Sequence, residues 1–161
     1  MKFEGIRKEL SKLFPKVFQN SDSDEYQELK TLSFPKEFIN MYSSKSPGQP
    51  LEVGKFRFLR IADLIDENLW EEPGETLYPM GFSIVGFSDT GDVFCLNMRE
   101  RNSRGQNDVL LARRELEYTA GDFKKARTSM KFMGNSLEDF LSRGIVALKK
   151  CQAGKLEIKG K

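Results

Sequence analysis

The chain has 161 residues, room for one domain with its own core, and 26 basic against 24 acidic residues for a formal charge of +2. It contains no histidine, which excludes Ser-His and Cys-His nucleophile pairs, histidine general bases and nearly every zinc-site pattern. Any catalysis would have to run on carboxylates, Lys, Tyr or Cys.

Thirteen Phe with 31% charged residues is the composition expected of a globular chain with an aromatic core. Two cysteines, Cys95 in an apolar run and Cys151 near the end, make no disulfide framework and read as idle thiols. No stretch approaches the roughly 20 apolar residues that span a bilayer, and no charged start leads into a short apolar run. A cytoplasmic protein without membrane contact, cofactor or metal is the expectation.

Along the chain, Phe3, Ile6, Leu10, Leu13, Phe14 and Val17 recur at spacings of three and four, which predicts an amphipathic helix that Pro15 ends or kinks. The polar run "QNSDSDEYQE" reads as a loop. In "SFPKEFINMYSS", Pro35 suits a first helical turn and Phe34, Phe38, Ile39 and Tyr42 share one side, so a second helix is expected. "KSPGQP" reads as a break, and the two-residue alternation of "KFRFLRI" as a strand.

"ADLIDENLWEEPGE" is an acidic connector carrying the single Trp. After it, "YPMGFSIVGF" places Met80, Phe82 and Ile84 on one face and Val85 and Phe87 on the other. "DVFCLNM" does the same with Phe94, Leu96 and Met98 against Val93 and Cys95, so both are central strands. "RERNSRGQN" is a polar loop and "DVLLARREL" another strand. Ser136 caps a closing helix whose stripe is Leu137, Phe140, Leu141, Ile145 and Leu148. The whole predicts one α+β domain over residues 1–150, a mainly antiparallel or mixed sheet of four to six strands packed with three helices. A basic, flexible tail is expected over 151–161.

Asp89-Thr90-Gly91 has the form of an aspartic-protease signature, but that chemistry needs two carboxylates about 3 Å apart sharing a proton, and one motif per chain supplies one of them. Two alternating strands flank the tripeptide. Ser88 to Gly91 is hairpin chemistry: Asp89 is expected to bond its own downstream backbone, and Gly91 to take the positive φ that closes the turn.

"LSFPKEFINMYSSKSPG", "YPMGFSIVGFSDTGDVFCLNM", "NDVLLARRE" and "MGNSLEDFLSRGI" occur in that order between Leu32 and Leu148. Together the four segments resemble the opening helix, central hairpin, following strand and closing helix of the SUKH superfamily, of the Smi/Knr-like type. Phe34 stands where that family usually has Leu, Ser46-Pro47-Gly48 where it often has Asn-Gly, and Asn97 where it usually has Asp. The resemblance implies a non-enzymatic binder: a bacterial immunity protein that neutralises a cognate polymorphic toxin of the nuclease or deaminase class, or a regulatory interaction module without a toxin partner.

An inhibitor of a nucleic-acid-directed toxin can cover a basic cleft with carboxylates that imitate phosphate. Residues 63–75 hold Asp63, Asp66, Glu67, Glu71, Glu72 and Glu75 and no base. Trp70, with Leu69 and Tyr78, would supply the aromatic anchor that dominates many interfaces, although a lone Trp in a Phe-rich chain also suits a core. Asp89 and Asp92 at the hairpin tip form a second candidate. Two further readings are an aspartic-type hydrolase at Asp89-Thr90-Gly91 and a nucleic-acid binder using Lys149, Lys150, Lys155, Lys159 and Lys161, the latter without interleaved aromatics for base stacking.

Overall fold

The computed structural model describes the backbone of residues 1–159 and the side chains of residues 1–153. The first helix, α1 (Phe3–Leu13), buries Phe3, Ile6 and Leu10, and it ends two residues before Pro15, as the missing amide requires. The polar run that follows is not a loop. It contains a strand, β1 (Phe18–Asn20), and a helix, α2 (Ser23–Leu29), started by Asp22, whose Oδ1 accepts the amides of Asp24 at 3.0 Å and Glu25 at 2.9 Å. Only Leu29 of α2 is fully buried, so no apolar stripe marked it; the Asp22 cap was the available signal.

Phe34, Phe38, Ile39 and Tyr42 are all buried around α3 (Lys36–Asn40), with Phe38 packed 5.2 Å from Phe34 and 5.3 Å from Tyr42 between ring centres. Pro35 is the cap of this helix, one residue earlier than expected. The expected break after it is in part a strand, β2 (Lys45–Pro47), paired antiparallel with β1 in a separate two-stranded ribbon. Proline is tolerated in such a ribbon because an outer amide there has no ladder partner to lose.

The hairpin of β3 (Leu51–Val53) and β4 (Phe56–Phe58) opens the main sheet. The supposed acidic connector is next, and it is helical: α4 (Ile61–Leu69) and α5 (Gly74–Leu77), followed by a 3-10 turn at Tyr78–Met80. The chain continues through β5 (Phe82–Ser88), β6 (Val93–Asn97), β7 (Val109–Ala112), α6 (Phe123–Ser129), β8 (Lys131–Gly134) and α7 (Leu137–Lys159).

Strands β3 to β8 lie in chain order across one six-stranded sheet, and every neighbouring pair is antiparallel. The fold is α+β, with no parallel pairing in the described sheet. Alternation sorts the side chains as the sequence predicts. Phe94 and Leu96 join Val85 in the larger core with α1, α3, α4 and α7. Phe82, Ile84, Val93 and Cys95 join Leu77, Ala126 and Met130 in a smaller core under α5 and α6. β5 and β6 are thus covered on both faces, each large side chain contributing on the order of 1.5–3 kcal/mol.

Burial pushes the Cys95 thiol up to about 12, so it is a packing group rather than a nucleophile at neutral pH, whereas Cys151 is exposed. The Ser136 hydroxyl caps α7 by accepting the Asp139 amide at 3.3 Å, and Leu137, Leu141 and Ile145 are buried as predicted. The helix runs on to Lys159 through the region expected to be a tail. Of the tail lysines, the side chains of Lys155 and Lys159 and all of Lys161 lie outside the described residues, and Lys149 forms an ion pair with Glu9 on α1.

Candidate functional site

Helix α4 sorts its residues by the 3.6-residue period. Ile61, Leu64, Ile65 and Asn68 are buried, while Asp66 and Trp70, four residues apart, share the outer face. Asn68 fixes this rotation. Its Nδ2 donates to the carbonyls of Leu64 at 2.8 Å and Ile84 at 2.9 Å, and its Oδ1 accepts the Ile84 amide at 2.7 Å. One buried amide thereby completes both backbone groups of a β5 residue beside the bulge between Ile84 and Gly86.

With the helix held this way, Trp70 ends it in the open. The Trp70 amide donates to the Asp66 carbonyl at 2.9 Å, and the residue is 69% exposed, more than any other large hydrophobic residue described. The lone Trp is thus not a core residue; Leu64 and Ile65 of the same helix are. Asp66, Glu71, Glu72 and Glu75 are exposed around the same turn. Asp63 is paired with Arg60 at 2.8 Å, and the Glu72 carboxylate accepts the Thr76 hydroxyl at 2.9 Å. Glu67 is half-buried. Desolvation raises its pKa, and the Arg114 guanidinium at 3.4 Å pulls the other way.

Tyr78 is half-buried, unlike Trp70. It packs against the larger core, and its hydroxyl accepts the Ser33 amide at 2.8 Å, bracing the end of the 3-10 turn against the segment leading into α3. Leu69 likewise packs on the core.

The hairpin tip is a turn of known chemistry. The Gly91 amide donates to the Ser88 carbonyl at 3.1 Å, the Ser88 amide to the Asp92 carbonyl at 2.8 Å, and Gly91 takes φ +87°. The side chain that bonds the downstream backbone is that of Ser88, not Asp89: its Oγ accepts the amides of Thr90 at 3.3 Å and Asp92 at 3.1 Å. Asp89 is exposed, and Asp92 accepts the Arg114 amide at 3.1 Å. Asp89→Asn is therefore expected to change stability in urea denaturation by about 0.5 kcal/mol or less. A loss of several kcal/mol would mean that this carboxylate has a partner the turn does not explain.

Arg114, two residues past the end of β7, brings the two candidate segments together. Its Nη1 donates to the Glu72 carbonyl at 3.1 Å and its Nε to the Gly91 carbonyl at 2.9 Å, with the guanidinium 4.8 Å from the centre of the Phe87 ring. The turn after α4 and the β5–β6 turn, some twenty residues apart in sequence, are neighbours across one side chain. Nothing in "ARREL" distinguished Arg114 from Arg113.

No family model, curated protein or solved structure matches this chain.

From residue 61 to residue 98 the chain has eight acids, Asp63, Asp66, Glu67, Glu71, Glu72, Glu75, Asp89 and Asp92, and no base. Arg60 and Arg114 reach in from outside that stretch, and each spends its charge on a carboxylate, Asp63 and Glu67 respectively. The exposed Trp70 therefore lies in a stretch of chain whose own charges are all negative.

A concavity of about 980 Å³ lies elsewhere, between α1, α3 and the turn after β6; there Lys2, Arg7, Lys36 and Arg101 share the lining with Glu4, Glu37 and Glu138, so no single sign prevails. None of the sequence-predicted site residues lines it. Among the described residues no cluster of three or more Cys, Asp or Glu is arranged to hold a metal, and no helix is long and apolar enough to cross a membrane.

Proposed function

We propose that this chain is a non-enzymatic protein-binding domain of the SUKH-like kind, an immunity protein that binds and neutralises a cognate toxin through the turn that follows α4. The observation that carries the reading is Trp70, 69% exposed, with the exposed Asp66, Glu71, Glu72 and Glu75 within five residues of it in the chain. Exposing an indole to water is unfavourable unless a partner covers it, and large aromatics dominate interface energies when they fill a pocket. The surrounding carboxylates favour a basic partner surface, speed encounter with it and resemble the phosphates that a nuclease or deaminase cleft accepts. The four segments that resemble the family lie in α3, the β5–β6 hairpin, β7 and α7, all packed into connected cores.

The test is co-expression with the toxin encoded beside this gene, followed by affinity measurement. Rescue of growth and a stable complex are expected. Trp70→Ala is expected to weaken binding by at least about 30-fold with thermal stability retained, and charge reversal of Glu71 and Glu72 to slow association steeply. Failure to rescue or co-purify would overturn the immunity reading, and unchanged affinity in both variants would move the interface elsewhere.

A further inference from the structure

We propose that the turn after α4 and the tip of the β5–β6 hairpin form one composite binding surface, and that Arg114 is the positioning residue that holds them in register. The inference rests on the binding reading above, but the device it describes is a matter of geometry. A guanidinium presents five donors in a rigid fork, and here that fork takes the Glu72 carbonyl with Nη1, the Glu67 carboxylate with Nη2 and the Gly91 carbonyl with Nε. Its own backbone amide holds Asp92, and its plane lies against Phe87.

Two of these acceptors are backbone carbonyls in separate turns, so the side chain fixes loop positions and does more than balance charge. Glu67 faces the same guanidinium with its side chain only 16% exposed, whereas Asp66, Glu71, Glu72, Glu75 and Asp89 are exposed. Arg114 itself keeps a side-chain exposure of 36%, enough to reach a partner's edge but far less than Trp70 offers. Its effect on binding acts through the two turns.

Lysine separates this role from a simple counter-charge. An ammonium can face Glu67, but it is a single point and cannot hold two carbonyls on either side of a plane. The experiment compares wild type, Arg114→Met and Arg114→Lys by amide hydrogen exchange and by fluorescence anisotropy of Trp70, the only tryptophan in the chain.

In Arg114→Met, exchange is expected to quicken at least about tenfold at both Glu75 and Gly91, whose amides close the two turns onto Glu71 and Ser88, with the strand amides of β5 and β6 unchanged. Trp70 anisotropy should fall, and Arg114→Lys should restore neither turn. Should Arg114→Met fail to fold, the lysine variant alone gives the same comparison.

Faster exchange in one turn only, in neither, or full restoration by lysine would overturn the proposal. No partner is needed for these measurements, so the latch stands or falls separately from the immunity reading. With the toxin in hand, loss of affinity in Arg114→Met without loss of thermal stability would support the composite surface, and unchanged affinity would confine binding to the Trp70 turn.

Discussion

Asn68→Leu is expected to destabilise the protein by about 3 kcal/mol, measured by urea denaturation, even though leucine fits the volume and the helix. The cost comes from what leucine leaves behind. Asn68 is 1% exposed and pairs with both the amide and the carbonyl of Ile84, at 2.7 and 2.9 Å. Ile84 lies where the β5–β6 register shifts, so its neighbouring strand is displaced just where those groups need partners. Each buried backbone group without a partner costs about 1–3 kcal/mol, and two are orphaned at once. The added apolar surface of leucine recovers part of this, which sets the expectation near the middle of the range rather than at its top. A loss below about 1 kcal/mol would show that Ile84 finds other partners, and that α4 is held by Leu64 and Ile65 alone.

The same residue explains why the sequence misled about this region. Asp63 to Glu75 is rich in acids, and a count of charge reads it as solvent-facing chain. The buried apolar positions of α4, Ile61, Leu64 and Ile65, are helical in spacing but few, and the fourth position on that face is a polar asparagine whose burial is unreadable without the strand it serves. The sheet was legible because β5 and β6 alternate cleanly and are covered on both faces, so each side chain declares a side. α2 and α6 escaped for a different reason. Each fully buries only one residue, Leu29 and Ala126, and was announced by a cap, Asp22 and Asp122, rather than by a stripe.

The candidate surface was legible in part. Trp70 and the outward acids could be named from composition, and the turn at Ser88 to Gly91 from its residues. Their adjacency could not, because it depends on a tertiary contact through Arg114, in the turn after β7 and 23 residues beyond Gly91. Tyr78 shows the converse: it was named because it follows the acidic run, three residues after Glu75, but it is half-buried and its hydroxyl accepts the amide of Ser33, forty-five residues away.

Gly74→Ala is expected to be at least as damaging as Asn68→Leu, at about 3 kcal/mol or more, and to reach the candidate surface directly. A Cβ at Gly74 would collide with the Glu67 carbonyl oxygen and lie 2.9 Å from Ile84 Cδ1. The first of these is backbone in the last turn of α4, so no rotamer change relieves it, and α5 must move away from α4. That movement carries the Glu71 to Pro73 turn with it and draws the Glu72 carbonyl off Arg114. Gly91→Ala provides the contrast, since its φ of +87° is unfavourable for alanine but nothing lies within 4 Å of the added carbon. That substitution should cost only about 1 kcal/mol. Equal costs at the two glycines would mean that α5 can slide on α4 without resistance, and the turn bearing Trp70 would then lack the rigid seat on which both the proposed binding surface and the proposed Arg114 latch depend.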